Sequence, residues 1–352
     1  MSLDRAELQD SARRMFGEAG LAPDRRQIWS LIAEMGWLGL AAPEELGGLG
    51  QGRDALGVLY LELGRVLAPG PVIPALLAVE AVSRSELLAD RAAWIARLVA
   101  GEVVTGSLKG GAVEIRVADT GGYVVSGQLS AAPDADEAGH LLAWSADGDF
   151  CALIPLQQAN VVIEPRPTWD ASRRLFDVVF RGAQLSGELV LARGDAAADL
   201  VRDLQEHLML ALAADGVGGA NAALEMTVEY LQTRKQFGRP LAMFQALKHR
   251  CADLKTQIVA AEALFWSVAE DRHGGAQDPL LRAAAAKSYA AQVFHAVSEE
   301  AIQLHGGIGL TAEHPCHLFL KRALLNEALA VGGDAWDAAI GAEALERLGR
   351  AG

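Results

Sequence analysis

The sequence predicts an α+β fold: helices first, then a compact antiparallel β-domain, then a bundle of long helices toward the C-terminus. Three observations carry this. Apolar residues recur at helical spacing early in the chain and again beyond about residue 196. Between these regions the periodicity gives way to short β-rich runs punctuated by Gly, Asp and Pro. The composition is 51% apolar and dominated by Ala and Leu, which lose little side-chain freedom in a helix. The domain limits that follow are 1–105, 106–192 and 193–352.

In the N-terminal part, Ile28, Leu31 and Ile32 share a helical stripe that leads into the apolar run Trp37-Leu38-Gly39-Leu40. Pro43 and the glycines of Ala42–Gly50 break it. Leu56, Leu59, Leu63 and Val66 form the stripe of a second helix, stopped by Ala68-Pro69-Gly70-Pro71, and a further helix ends near Ala100-Gly101. The middle region offers strands at 113–117, 123–125, 141–144, 151–154, 161–163 and 176–180, a spacing that suggests a small antiparallel sandwich or barrel. In the C-terminal part, Leu247, Cys251, Leu254, Ile258, Phe265 and Val268 line one helix face, with His273-Gly274-Gly275 as the expected stop. The next helix is expected from about Pro279 to Leu304.

The net charge of −14 repels phosphate backbones and argues against nucleic acid as a partner. Cys151, Cys251 and Cys316 are far apart and form no C-x-x-C pair, which points to reduced thiols in the cytoplasm. The N-terminus carries no apolar signal region and no run is long enough to span a membrane, so a soluble protein is expected.

Two motifs bear on chemistry. Thr233-Arg234-Lys235-Gln236-Phe237-Gly238-Arg239-Pro240 sits where one long helix stops and another begins. The Arg234 guanidinium offers a fixed fork of donors suited to a pyrophosphate, and Phe237 could cover an apolar ring. The competing reading is a helix C-terminus with basic residues favoured by the macrodipole. Gln303-Leu304-His305-Gly306-Gly307-Ile308-Gly309 places a glycine pair after a helix, where a backbone or ligand can approach closely, or where the helix merely stops.

Together, in this order and with this layout, the motifs resemble the acyl-CoA dehydrogenase family over nearly the whole chain. Trp37–Gly50, Leu61-Glu62-Leu63-Gly64-Arg65, Ala68–Pro71, Val161–Asp170 and Gly306–Pro315 are similar to stretches of that family. The resemblance implies an N-terminal helical domain, a middle antiparallel β-domain, a C-terminal four-helix bundle, FAD as cofactor, an acyl-CoA thioester as substrate, and a dimer or tetramer. It also implies that Arg234, Gln236, Phe237, Phe244, Gln245, Gln303, Gly306 and Gly307 hold the ADP part of a neighbouring subunit's FAD.

The family's reaction needs a glutamate base. Its two usual positions fall on Ala330 and on Leu208, with Met209 at the neighbouring arginine position. Glu327 and Glu206 are the nearest replacements. The β-domain departs as well: the flavin-contacting run is replaced by Ser107–Val113, and the element covering the flavin ring by Leu129–Glu137. These losses fall on the part of the site that a subunit builds for its own flavin. The expectation is therefore a subunit without catalytic base in a heteromeric acyl-CoA dehydrogenase. The alternatives are a homo-oligomeric enzyme using Glu206 or Glu327, and a flavin-free scaffold or acyl-CoA-binding protein. No metal site is expected: His305, His314 and His317 read as cap or surface histidines that no Cys or carboxylate completes. Arg322 reads as solvated or salt-bridged. Asp215 is expected to be paired or exposed, beside Gly216, Gly218 and Gly219, where helices can approach closely.

Overall fold

A computed structural model describes residues 5–119, 121–270, 278–330, 338–343 and 345. The first helices are α1 (Arg5–Ala19), α2 (Arg25–Glu34), α3 (Arg53–Arg65), α4 (Val72–Arg84) and α5 (Arg91–Val99). Side-chain caps fix two of their starts: Asp24 accepts from the amides of Arg26 and Gln27, and Asp90 from that of Ala93. α3 and α4 are buried over most of their length, in keeping with the apolar stripe read from Leu56, Leu59 and Leu63.

The β-domain comprises β1 (Val104–Gly106), β2 (Glu114–Val117), β3 (Tyr123–Pro133), β4 (His140–Trp144), β5 (Phe150–Pro155), β6 (Val161–Arg166), β7 (Leu175–Leu185) and β8 (Val190–Arg193). They form two four-stranded sheets, ordered β1-β4-β5-β8 and β2-β3-β7-β6. Apart from the parallel pair β1/β4, neighbours are antiparallel. Leu141, Ala143 and Ile154 of one sheet share a core with Val125, Val178 and Phe180 of the other, so the domain is a sandwich. β3 runs eight residues beyond the apolar Val124-Val125, because register shifts at Val125/Ser126 and Leu129/Ala132 interrupt the alternation that would have revealed it.

A two-stranded hairpin, β9 (Lys235–Gln236) and β10 (Arg239–Pro240), links the long helix α6 (Asp195–Thr233) to α7 (Gln245–Glu270). α8 (Pro279–His305) and α9 (Cys316–Ala328) complete a four-helix bundle. The expected stop at His273-Gly274-Gly275 lies outside the described residues. Leu254, Ile258, Phe265 and Val268 of α7 are buried as their spacing predicts. α6 has no polar face between Leu208 and Ala220, since α3 lies on one side and α8 on another. Small residues permit this. A Cβ on Gly218 would meet the Leu61 carbonyl, one on Gly64 the Asp215 backbone, and one on Gly219 the Phe294 ring. The helices thus approach closely at the glycines around Asp215.

A buried polar chain ties α3, α4 and α6. The His207 ring lies between the Tyr60 hydroxyl at 2.9 Å and the Glu80 carboxylate at 2.6 Å, and Arg53 reaches Glu80 at 3.1 Å. Burial alone would raise the Glu80 pKa, but the His207 hydrogen bond and the adjoining charges outweigh it and hold the carboxyl at about 2. A depressed carboxyl stabilises the fold above its ordinary pKa of 4.5, and the contribution is lost as pH falls through about 2. Glu80→Gln is therefore expected to cost on the order of 3 kcal/mol at neutral pH. The gap to wild type in urea midpoint should narrow as pH falls below 4.5. A gap independent of pH in that window would contradict this assignment.

Candidate functional site

The expected cofactor-binding residues gather at one end of the bundle. Arg234 is the C-cap of α6, and its carbonyl accepts from the Leu241 amide at 2.9 Å, which closes the hairpin onto the helix end. Phe237 and Gly238 form the hairpin tip, both with positive φ (52° and 76°). Positive φ at both central positions matches the twist of the flanking strands, but a phenylalanine there is strained by roughly 1 kcal/mol. Phe237 is also 88% exposed. A strained, largely exposed aromatic ring gains little within the chain beyond its edge-on contact with Phe244, which suits a contact surface.

Phe244 precedes α7, packs edge-on to Phe237 at 6.0 Å and lies under the Arg239 guanidinium at 4.1 Å. Gln245 opens α7 and Gln303 lies in the last turn of α8. Gly306, with φ 65°, caps α8, and Gly307 follows. Tyr230, one turn before Arg234, stacks on His305 at 4.5 Å and so brings the two motifs to the same end. Among the described residues, the side chains of Arg234, Gln236, Gln245 and Gln303 make no hydrogen bond or ion pair, and all four are exposed. A Cβ on Gly306 or Gly307 would meet nothing, so neither glycine is required by packing within the chain. Unspent donors beside an open glycine pair suit a diphosphate that arrives from outside the chain. The ADP portion of a dinucleotide fits this donor set.

The three segments that depart from the family pattern come together elsewhere. The Leu108 amide donates to the Ala131 carbonyl at 3.1 Å, and the Ala330 amide donates to the Leu108 carbonyl at 2.8 Å. Leu108, Ala131 and Ala330 are all buried. The Ser107 hydroxyl lies within hydrogen-bond reach of the carbonyls of Gly110 and Ser130, at 2.6 and 2.7 Å, and its single proton serves one of them at a time. Lys287 of α8 donates to the carbonyls of Glu327 and Leu329 and so fixes the end of α9 that leads to Ala330. Among the described residues, the positions bonded at this junction, Leu108, Ala131 and Ala330, bring no carboxylate to it. Leu208 and Met209 are buried apolar side chains of α6. Glu327 is paired with His295 at 2.9 Å and Glu206 with Arg53 at 2.9 Å. Glu206 lines a cleft of about 450 Å³ together with Arg53, Glu80 and Asp203.

Beside the junction lies an ion cluster that sequence reading did not assemble. Arg322 of α9 is fully buried and donates to Asp170 at 2.5 Å, to Asp215 at 3.2 Å and to the Leu67 carbonyl at 3.1 Å. Arg173 donates to Asp215 at 2.9 Å, and Asn326 to the other Asp215 oxygen at 3.1 Å. Asp215 is thus paired, as expected, while Arg322 is wholly removed from water. Burial and the neighbouring Arg322 charge push Arg173 down to about 10. Against its burial, the Asp170 and Asp215 carboxylates raise Arg322. Two cations and two anions from the β-domain and the C-terminal bundle neutralise one another, and the N-terminal part adds the carbonyls of Leu67 and Ala68. Leu108, Tyr60, Arg173 and Asp215 border a cavity of about 20 Å³, room for one water. The residues around Ala330 therefore do not fit a flavin ring, whereas those around Arg234 do fit the ADP end. The sequence offered Asp215 and Arg322 only singly as candidates for pairing, because partners more than 40 residues distant leave no local signal of which meets which.

Comparison with known proteins agrees with this geometry. A family model described as acyl-CoA dehydrogenase, N-terminal domain, matches residues 4–102, and one described as acyl-CoA dehydrogenase, C-terminal domain, matches residues 202–345. The acyl-CoA dehydrogenase IpdE2 of Mycobacterium tuberculosis is 35% identical over 311 residues, covering 87% of this chain and 83% of that protein. A point variant of the steroid acyl-CoA dehydrogenase Tcur3481–Tcur3483 superposes with a TM-score of 0.84 at 29% identity, covering 98% of this chain and 99% of that one. The ChsE4–ChsE5 complex of M. tuberculosis gives 0.85 at 25% identity, with 98% of each chain covered. No helix among the described residues is long and apolar enough to cross a membrane.

Proposed function

The chain belongs to the acyl-CoA dehydrogenase family, and from that premise we propose that it is the subunit of a heteromeric acyl-CoA dehydrogenase that lacks a reaction centre of its own and completes its partner's FAD site. The observation that carries this is the direct Ala131–Leu108–Ala330 hydrogen-bonded junction, formed by the three segments that a catalytic member uses for flavin ring and base. Similarity to a steroid dehydrogenase of two named components and to the ChsE4–ChsE5 complex supports a two-subunit assembly and a bulky acyl-CoA thioester as substrate.

FAD, when bound, accepts the hydride from Cβ of the thioester. The work of this chain is binding and orientation. The Arg234 guanidinium neutralises diphosphate charge, and Gln236, Gln245 and Gln303 offer amide donors and acceptors. Phe237 and Phe244 present apolar faces, and Gly306-Gly307 lets the ligand reach the backbone. The base that takes the proton from Cα comes from the partner. The three free cysteines accord with a cytoplasmic location.

Purification of the chain alone and after co-expression with candidate partner subunits tests the reading, with flavin absorbance followed through size exclusion. The expected outcome is a colourless single chain, with flavin and acyl-CoA dehydrogenase activity only in the co-expressed complex. A yellow, active homo-oligomer would refute it and direct mutagenesis to Glu206 and Glu327. A complex without flavin would leave only the scaffold or acyl-CoA-binding alternative.

A further inference from the structure

The sequence leaves His305, His314 and His317 without a Cys partner, and the fold corrects this. One ligand atom from each of His305, His314 and Cys316 lies within 4.8 Å of the others. His305 ends α8, whereas His314 and Cys316 flank Pro315 at the start of α9, so the three converge only when the intervening turn folds back. The His305 Nδ1–H donates to the Ala301 carbonyl at 2.7 Å, which fixes the tautomer and turns the Nε2 lone pair away from its own helix. That Nε2 is buried and has no hydrogen-bond partner, in a residue 3% exposed. The His305 and His314 rings are 4.4 Å apart, and Tyr230 stacks on His305 at 4.5 Å and meets His314 edge-on at 6.1 Å. The His314 Nδ1 holds its lone pair toward the Cys316 amide at 3.3 Å, a bond long enough to yield to a stronger partner. Cys316 is free and buried.

We propose that His305, His314 and Cys316 form a binding site for a zinc-class divalent cation that clips the end of α8 to the start of α9. Two imidazoles and a thiolate are the ligand set of such ions, and the absence of a carboxylate among the three disfavours magnesium or calcium. The Nδ1–H to backbone carbonyl bond of His305 is the outer contact that metal-ligating histidines commonly use. Tetrahedral coordination sets ligand atoms roughly 3.3–3.8 Å apart, so the three side chains close by about 1 Å. Burial lowers both imidazole pKa values and pushes that of the thiol up to about 11. Binding replaces the S–H bond with a sulfur–metal bond and releases that proton to solvent. A fourth position is left for water or a partner group. The clip spans the segment 306–315 that presents Gly306-Gly307, and its three ligands are distinct from the residues offered to a diphosphate.

The test is titration of the tag-free, chelator-treated full chain, or of its co-purified complex, with Co²⁺. The expected result is a sulfur-to-cobalt charge-transfer band in the near ultraviolet with visible d–d bands of a tetrahedral site, saturating at one ion per chain and displaced by Zn²⁺. Cys316→Ser should abolish the charge-transfer band, and Cys251→Ser should retain it. His314→Ala, which alters a partly exposed side chain, should weaken binding at least about tenfold. Folded wild-type protein without the band, or a band that persists in Cys316→Ser or is unchanged in His314→Ala, would overturn the proposal.

Discussion

Arg234→Ala leaves the chain folded and assembled but strips FAD from its complex. The side chain is exposed and makes no hydrogen bond or ion pair within the described residues, so its loss should leave the urea midpoint of the chain unchanged within error. A charge-assisted hydrogen bond to a phosphate is worth about 1.5–3 kcal/mol, which corresponds to about 10- to 150-fold weaker flavin binding. The measurement is the flavin-to-protein absorbance ratio of the co-purified complex, with added FAD titrated back. Arg234→Lys should recover only part of the affinity, because an ammonium supplies a point charge without the fork. Undiminished flavin in Arg234→Ala would remove the half-site reading, whatever the outcome for the metal clip.

Arg322→Met should cost 3–5 kcal/mol, roughly the penalty of leaving buried anions without a counter-charge. Asp170 and Asp215 would remain in the interior with only Arg173 to balance them, and two backbone carbonyls that accept from Arg322 would lose their donor. Combining Arg322→Met with Asp170→Asn restores charge balance and should regain part of the loss. Such non-additivity is the signature of one coupled cluster rather than independent surface pairs. Urea unfolding of the two single variants and the double variant measures it. A loss below about 1 kcal/mol for Arg322→Met would mean that water reaches the cluster, since exposed pairs contribute no more than that.

Local regularity decided what could be read in advance. The stripe Leu254, Ile258, Phe265, Val268 was legible because one face of α7 turns toward α6 and α8 while charges fill the other, and Pro279 marked a helix start. β3 was cut short because its bulges break the alternation, and the parallel β1/β4 pair had no local sign at all. The two candidate motifs stood out in the sequence for another reason: each is a contiguous run at a helix end, and among the described residues the exposed donors of Arg234 and Gln303 have no partner.

The sequence by itself determined the helix–β–helix order, the family resemblance, the two helix-end motifs and the apolar Leu208 and Ala330 at the positions read as those of the usual glutamate, because all of these are properties of single segments. Tertiary structure alone decided that Leu108, Ala131 and Ala330 close upon one another, that Arg322 is buried between Asp170 and Asp215, and that Cys316 joins His305 and His314. Each of these is a meeting of segments far apart in the chain or folded back on each other. Such meetings depend on how helices and sheets pack, and a linear pattern of residue types carries no record of that geometry.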